Sequence, residues 1–382
     1  MEPSSTLDSG TLLAGMGAIL HDQGVAFRVW APHANAVSVT GSFNDWSDDG
    51  NAMTSEGNGY WYTDIANAKA GDENRYRIVN GDKVLMRIDP YARHVTSSVG
   101  NTIVYDTRFD WKDDHFELPP VNEMVIYEMH LGTFNDTAKE GVDRFAEVIA
   151  KLDYLKRLGV NVIELMPLAQ FAGHLSWGYN PSCIFAVSTQ YGGPDGFKRF
   201  VKEVHKAGIG VILDVVYNHF GPSDLDLWQF DGWSENEKGG IYFYNDWRSE
   251  TPWGHTRPDY GRGEVRDFIR DNAMMWLDEY HVDGLRFDMS LFIRNVHGNG
   301  DAGADLRDGW SLVQWINNQI HDRFPGRFIV AEDLQNDDRI TQPTEHGGLG
   351  FTAQWSARFV HPIRAAVITS DDAQRSMSSV RH

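Results

Sequence analysis

Two periodicities divide the chain. From Val25 to about Thr107 apolar residues alternate with polar ones in short runs: VAFRVWAP (25–32), AVSVTGSF (36–43), GYWYTDI (59–65) and RYRIV (75–79). Period-2 alternation predicts half-buried strands. NDWSDDGN and EGNG, which fall between the runs, read as turns. Short strands in this arrangement predict an immunoglobulin-like β-sandwich over 17–112. Residues 1–16 read as a loose leader, and 113–123, polar and then Pro-paired, as a linker.

After Glu123 the pattern changes to continuous apolar runs alternating with helical stripes. VIYEMHLGTF (125–134), VNVIELMPL (160–168), IGVILDVVYNH (209–219), VDGLRFDM (282–289), RFIVAEDL (327–334) and GFTAQW (350–355) read as buried strands. Helices are predicted over 143–158, 195–207, 264–280 and 310–323, and ARFVHPIRAAVI follows the last strand. The first helix carries the stripe Phe145, Val148, Ile149, Leu152, Leu155 and Leu158. Strict alternation of strand and helix predicts parallel βα units, and hence a (β/α)8 TIM-type barrel occupying 124–382. About six units are legible, and the tail TSDDAQRSMSSVRH is polar and strandless. The barrel is therefore expected to lack its seventh and eighth units, as in a truncated product, a fragment or a split protein. Open edges at the first and sixth strands are expected to expose apolar surface and to invite self-association.

The chemistry sits at the strand ends, where a barrel of this kind keeps its functional groups. Asp214, Asp288 and Glu332 each follow an apolar run, and Arg286 precedes Asp288 by two residues. Period 2 puts Arg286 and Asp288 on one side of their strand. An Arg beside a carboxylate keeps it ionised and orients it, as a nucleophile at an anomeric carbon requires. Glu332 follows three apolar residues, a setting that raises a carboxyl pKa and suits a proton donor. Asp333 points the other way. Together Asp288 and Glu332 predict carboxyls roughly 5 Å apart and a retaining mechanism. His219 is placed to bond a sugar hydroxyl, and Asp214 to buttress the strand end or bind Arg286. Tyr179 and Trp177, in SWGYN, are candidate substrate contacts, with Tyr179 as a stacking platform. The stretch 228–260 is aromatic-rich and too long for a plain connection, which suits a loop over a barrel mouth. Asn218 is a candidate Ca²⁺ ligand, although no acidic cluster accompanies it. No other metal and no redox cofactor are implied.

These residues carry a family resemblance. DVVYNH (214–219), GLRFD (284–288) and AED (331–333) match, in order, three of the four characteristic regions of the alpha-amylase superfamily of glycoside hydrolases and transglycosylases, which the chain resembles over about 25–361. The resemblance implies Asp288 as nucleophile, Glu332 as acid/base, Arg286 as the nucleophile's partner, and Asp214, His219 and Tyr179 in the glucose subsite. FRVWAP (27–32) and GSFNDW (41–46) look like the sandwich that precedes the barrel in glycogen branching enzymes, isoamylases and maltooligosyltrehalose trehalohydrolases, with Trp30, Trp46 and Trp61 as candidate glucan contacts. The family's fourth region, an Asp usually after His on the seventh strand, has no counterpart. The only His-Asp pairs are His21-Asp22 and His321-Asp322. The implied activity is retaining cleavage of α-1,4-glucans, with branching set against trehalose release or other hydrolysis. The rival from another class is a non-catalytic glucan-binding protein.

Bulk properties narrow the partners. A net charge of −20 repels nucleic acid and anionic membrane but not a neutral glucan. No uncharged apolar run approaches the roughly 18 residues of a membrane span. The first twenty residues lack the basic start of a signal peptide. Cys183 is the single cysteine, which suits a reducing compartment and a cytoplasmic location.

Overall fold

The computed structural model describes residues 12–48, 50–135 and 143–380, so residues 1–11 of the expected leader lie outside the described residues. Eight strands come first: β1 (Gly17–His21), β2 (Gly24–Trp30), β3 (Ala36–Gly41), β4 (Thr54–Gly57), β5 (Tyr60–Ile65), β6 (Glu73–Asn80), β7 (Lys83–Arg87) and β8 (Thr102–Ile103). They form two antiparallel sheets, β1-β2-β5-β4 and β3-β6-β7, with β8 paired to β6. The alternation read from the sequence explains the layering. Val25, Phe27 and Val29 of one sheet and Val37, Val39, Tyr76 and Ile78 of the other are buried in one core.

The second half is built on a six-stranded parallel sheet. Its strands are β9 (Ile126–Met129), β10 (Val162–Leu165), β13 (Gly210–Val215), β14 (Gly284–Phe287), β15 (Phe328–Ala331) and β16 (Ala353–Gln354), hydrogen-bonded in chain order. That is a partial TIM barrel. A hairpin the sequence reading missed, β11 (Ala169–Phe171) with β12 (Pro181–Val187), leaves the sheet after β10. Its signal was the apolar run Ile184-Phe185-Ala186-Val187.

Helices alternate with the strands: α1 (Arg144–Ile149), α2 (Leu152–Leu158), α3 (Gly193–Lys206), α4 (Gly263–Asp278), α5 (Leu291–Arg294), α6 (Arg307–Arg323) and α7 (Ala357–Ile368), the last burying no residue. The helix expected at 143–158 is broken, because Lys151 leaves the helical region at φ −111°, ψ 3°. Phe145, Val148, Leu152 and Leu155 stay buried across the break, but Leu158 is exposed.

The two faces of the sheet follow period 2. Ile163, Leu165, Val211, Leu213, Leu285, Phe287 and Ile329 pack outward in the main core. Val162, Ile212, Phe328 and Val330 form a separate inner cluster. Glu164, Asp214, Arg286 and Glu332 share that inner parity, so the polar groups face the barrel's interior. Gly284 allows β14 and β15 to pair closely, since a Cβ there would lie 2.2 Å from the Phe328 carbonyl oxygen. At the open sides Val125, Ile126, Phe359, Val367 and Ile368 are exposed. No helix among the described residues is long and apolar enough to cross a membrane.

The sandwich docks on the long loop after β13. Arg87 donates to the Phe230 and Gln229 carbonyls, Lys83 to that of Gly232, and Arg75 pairs with Asp226 at 2.5 Å. Trp30 is buried in this seam, edge-on to Tyr242 at 5.8 Å. It is thus packing and not the glucan contact expected of it. Trp61 is half-buried and donates to the Ala31 carbonyl, while Trp46 remains exposed.

Beneath the sheet the stretch 113–123 is tied in by charge. His205 of α3 bridges Asp114 at 2.7 Å and Asp283 at 2.8 Å, and Asp283 also holds Arg327 at 2.6 Å. Burial works to lower the His205 pKa, but the bonds and charges of Asp283 and Asp114 outweigh it and the net direction is up. A raised folded pKa stabilises fully below the unfolded value, about 6.5, and the effect is lost as pH rises through the folded pKa. The thermal midpoint is therefore expected to fall as pH climbs above neutrality, and His205→Gln should flatten that slope. Equal slopes in melts of both proteins across pH 6 to 9 (roughly the span of His titration) would contradict the assignment.

Candidate active site

Strand register builds the site. Asp214 on β13 lies opposite Arg286 on β14, and Arg286 opposite Val330 on β15. Three carboxyls thereby converge on one guanidinium. Arg286 Nη1 donates to both oxygens of Asp214 at 2.8 Å and to Asp288 at 2.9 Å, and Nη2 contacts Glu332 at 2.6 Å. Trp355, just beyond β16, covers the guanidinium with its ring centroid 4.4 Å from Cζ. Asp288 and Glu332 thus hang from the two ends of one fork.

Glu332 is held by a second contact, the backbone N–H of Met289 at 2.9 Å. Met289 adopts φ +37°, a left-handed conformation that a side chain disfavours. The residue after Asp288 is thus strained where its N–H is aimed at Glu332, the kind of position where strain persists for function. Burial raises the Glu332 pKa, against Arg286 and the Met289 N–H, and the charge of Asp288 raises it further. Burial likewise pushes Asp214 up, against the pull of Arg286 and Tyr179. One guanidinium faces these carboxyls, so burial and the neighbouring Asp288 charge still raise both Asp214 and Glu332.

Tyr179 reaches the cluster because Gly178 takes φ +95° and sits where a Cβ would strike the Pro167 carbonyl at 2.4 Å. Its hydroxyl donates to Asp214 at 2.6 Å. Asn218 donates its amide to the Asp288 backbone oxygen at 2.7 Å and to Oδ2 at 2.8 Å, while its own oxygen meets His219 Nδ1. Both ends of Asn218 are thus engaged inside the carboxylate network, which corrects the Ca²⁺-ligand expectation. No cluster of metal-binding side chains occurs among the described residues. His219 is also placed differently from expectation. Its other nitrogen lies 2.8 Å from the Tyr179 carbonyl, and the ring stacks on Trp253 at 4.5 Å. Buried and occupied at both nitrogens, it supports the Tyr179 segment and leaves no ring nitrogen for a sugar hydroxyl. Burial lowers its pKa.

Asp333 turns away, as its parity requires, into a forked pair with Arg294 at 2.7 and 2.8 Å. Trp177 is 69% exposed. It lines a cleft of about 510 Å³ with His130, Phe171, Leu175 and Tyr191. In the long loop Phe230, Tyr242, Phe243 and Tyr244 are packing, whereas Trp247 and Trp253 stay about half exposed. Arg257, fully buried, staples that loop through the carbonyls of Arg248, Glu250, Phe292 and Val296. Sequence reasoning missed Arg257, Trp355 and the true use of Asn218, since each depends on contacts between distant segments. His21-Asp22 lies at the end of β1 and His321-Asp322 in α6, both away from the cluster.

Both halves of the chain are similar to known proteins. The family described as alpha amylase, catalytic domain, matches residues 129–349, and carbohydrate-binding module 48 (isoamylase N-terminal domain) matches residues 15–92. A 1,4-alpha-glucan branching enzyme GlgB of Salinibacter ruber is 34% identical over 370 residues, covering 91% of this chain and 58% of that protein. A malto-oligosyltrehalose trehalohydrolase of Saccharolobus solfataricus is 36% identical over 352 residues, covering 91% of this chain and 56% of that protein. A crystal structure from Salmonella typhimurium, provisionally described as an alpha amylase, superposes with a TM-score of 0.73 at 29% identity, covering 94% of this chain and 57% of that one. The chain thus spans little more than half the length of these relatives.

Proposed function

The chain belongs to the alpha-amylase family, and from that premise we propose that it acts on α-1,4-glucans by a retaining double displacement, as a branching-type glucanotransferase. The observation that carries the reading is the suspension of Asp288 and Glu332 from one arginine. Asp288 attacks the anomeric carbon from one face while Glu332 gives its proton to the departing glucosidic oxygen, leaving a glycosyl ester on Asp288. Glu332, now ionised, takes a proton from the acceptor as that acceptor attacks the ester carbon. A sugar hydroxyl as acceptor makes a branch, and water makes a hydrolysis product. Arg286 holds the three carboxyls in register through both half-reactions. Asp214, fixed by Arg286 and Tyr179, presents its carboxyl toward the glucose at the cleavage point. His219 and Asn218 position these groups from behind.

The reading includes a neutral glucan as partner and a cytoplasmic setting, the latter supported by the lone, buried Cys183. It also includes association of copies through the exposed apolar sides of the sheet at Ile126 and at Phe359 and Ile368 of α7.

Incubation with amylose, followed by reducing ends and iodine absorbance together, tests the reaction type. Loss of iodine colour without new reducing ends supports branching. New reducing ends mean hydrolysis, the outcome aligned with the trehalohydrolase relative when trehalose appears from a trehalose-ended oligosaccharide. Retention on starch without either change contradicts catalysis by this chain.

Trp177 is proposed as a stacking surface for the glucan where it leaves the cluster. Trp177→Ala is expected to weaken retention in amylose affinity gels by roughly 1 kcal/mol, about five- to tenfold. Unchanged mobility would remove Trp177 from the glucan path.

A further inference from the structure

The stretch of chain that carries Asp288 also grips the end of β15, and it does so from both faces. The Glu332 N–H donates to the Phe287 carbonyl at 3.1 Å, and the Met289 N–H donates to the Glu332 carboxyl at 2.9 Å. One residue on, Asp333 points to the opposite face. There Arg294, the last residue of α5, meets it with a fork: Nε to Oδ2 at 2.7 Å and Nη2 to Oδ1 at 2.8 Å. Asp333 is 1% exposed and Arg294 6%. Leu334 and Asn336 then take φ +62° and +54°, and Asp337 comes within 3.8 Å of the same guanidinium. The Arg294 carbonyl accepts from the Leu306 N–H at 2.7 Å, which ties α5 to the start of α6. Neither Arg294 nor Asp333 takes part in the mechanism above.

We propose that Arg294 and Asp333 are positioning residues for the acid/base, their fork fixing the strand end that bears Glu332 against the segment that bears Asp288. The inference rests on the reading of Glu332 as the proton donor.

Glu332 and Asp333 share a peptide unit, so any shift of Asp333 carries the Glu332 backbone with it. Successive residues of an extended chain point to opposite faces. Two arginines therefore hold adjacent acids from opposite sides, Arg286 on the inner face and Arg294 on the outer. A slide or rotation of the strand end would break one grip or the other. A forked arginine–carboxylate pair fixes orientation as well as distance, which a lysine point charge does not. A buried ion pair is a weak source of stability compared with apolar residues of the same volume. What this pair supplies is geometry. Both grips come from the segment that carries the nucleophile, so they set the spacing between nucleophile and acid on which glycoside cleavage depends.

Two substrates separate a positioning role from a merely structural one. Amylose has a leaving group that needs a proton, whereas the fluoride of α-maltosyl fluoride leaves without one. In Asp333→Asn, kcat/KM on amylose is expected to fall about ten- to a hundredfold, while that for fluoride release falls less than about threefold. Arg294→Lys, which keeps the charge and loses the fork, should show the same split at smaller size, and it decides alone if Asp333→Asn does not fold. Equal falls on both substrates would reduce the pair to a structural contact and overturn the proposal. Methionine-¹⁵N labelling of the whole chain reads the same claim without turnover. The Met289 amide proton, assigned through Met289→Leu, is expected to move upfield in Asp333→Asn, toward its place in Glu332→Gln. An unmoved Met289 resonance would overturn the proposal. A parent chain that turns over neither substrate counts against the proposed function, and the Met289 resonance then decides the role of the pair.

Discussion

Asp288→Asn is expected to lower turnover of amylose by on the order of 10⁴- to 10⁶-fold, the scale on which removing a nucleophile or its essential base acts. The amide keeps the shape of the carboxyl and can still receive the Asn218 contact, but it cannot form a glycosyl ester. Starch retention should survive, because Trp177 and the surrounding cleft are untouched. Measured kcat should therefore collapse while affinity in a starch gel stays within about twofold of the parent. A variant that loses binding and turnover together would mean that Asp288 mainly holds the fold. A variant that keeps turnover would assign the nucleophile elsewhere.

Arg286→Leu has the largest expected effect on stability. Arg286 is 3% exposed and is the common partner of Asp214, Asp288 and Glu332. Removing it leaves carboxyls crowded on the inner face with no cation among them. Breaking a buried charge pair in this way costs about 3–5 kcal/mol. Trp355 also loses its cationic partner. The urea midpoint of barrel unfolding should drop accordingly, and the drop should shrink at acid pH, where the orphaned carboxyls take up protons. Arg286→Lys keeps the charge but not the fork, so it should recover part of the stability and little of the activity. Equal midpoints for parent and Leu variant would show that Arg286 is not the cluster's organising charge.

The readable parts of the structure were those written in local periodicity. Four of the eight sandwich strands and all six of the parallel sheet followed from periods that one stretch of chain displays by itself, whereas β1, β4, β7 and β8 went unread. Asp214, Arg286, Asp288 and Glu332 were legible for the same reason, since parity and position at a strand end fix where they point. The unread parts depend on segments far apart in the chain. Trp30 was a candidate glucan contact, but it is buried where the loop carrying Tyr242 packs against it. Asn218 looked like an oxygen ligand because its sequence neighbours do not show that Asp288, seventy positions later, takes its amide. His219 was assigned to sugar for want of any sign that Tyr179 and Trp253 enclose it.

The central claim is that Asp288 becomes covalently glycosylated while Glu332 manages the protons. Its most direct test is peptide mapping by mass spectrometry after exposure to a slowly released fluorosugar α-glucosyl fluoride. The fluoride leaves without an acid, so the experiment is run on both the parent chain and Glu332→Gln. The account predicts one glucosyl adduct, on the peptide containing Asp288, accumulating to a higher level in Glu332→Gln. An adduct on Asp214 or on Glu332 itself, or fluoride release with no adduct in either protein, would contradict it.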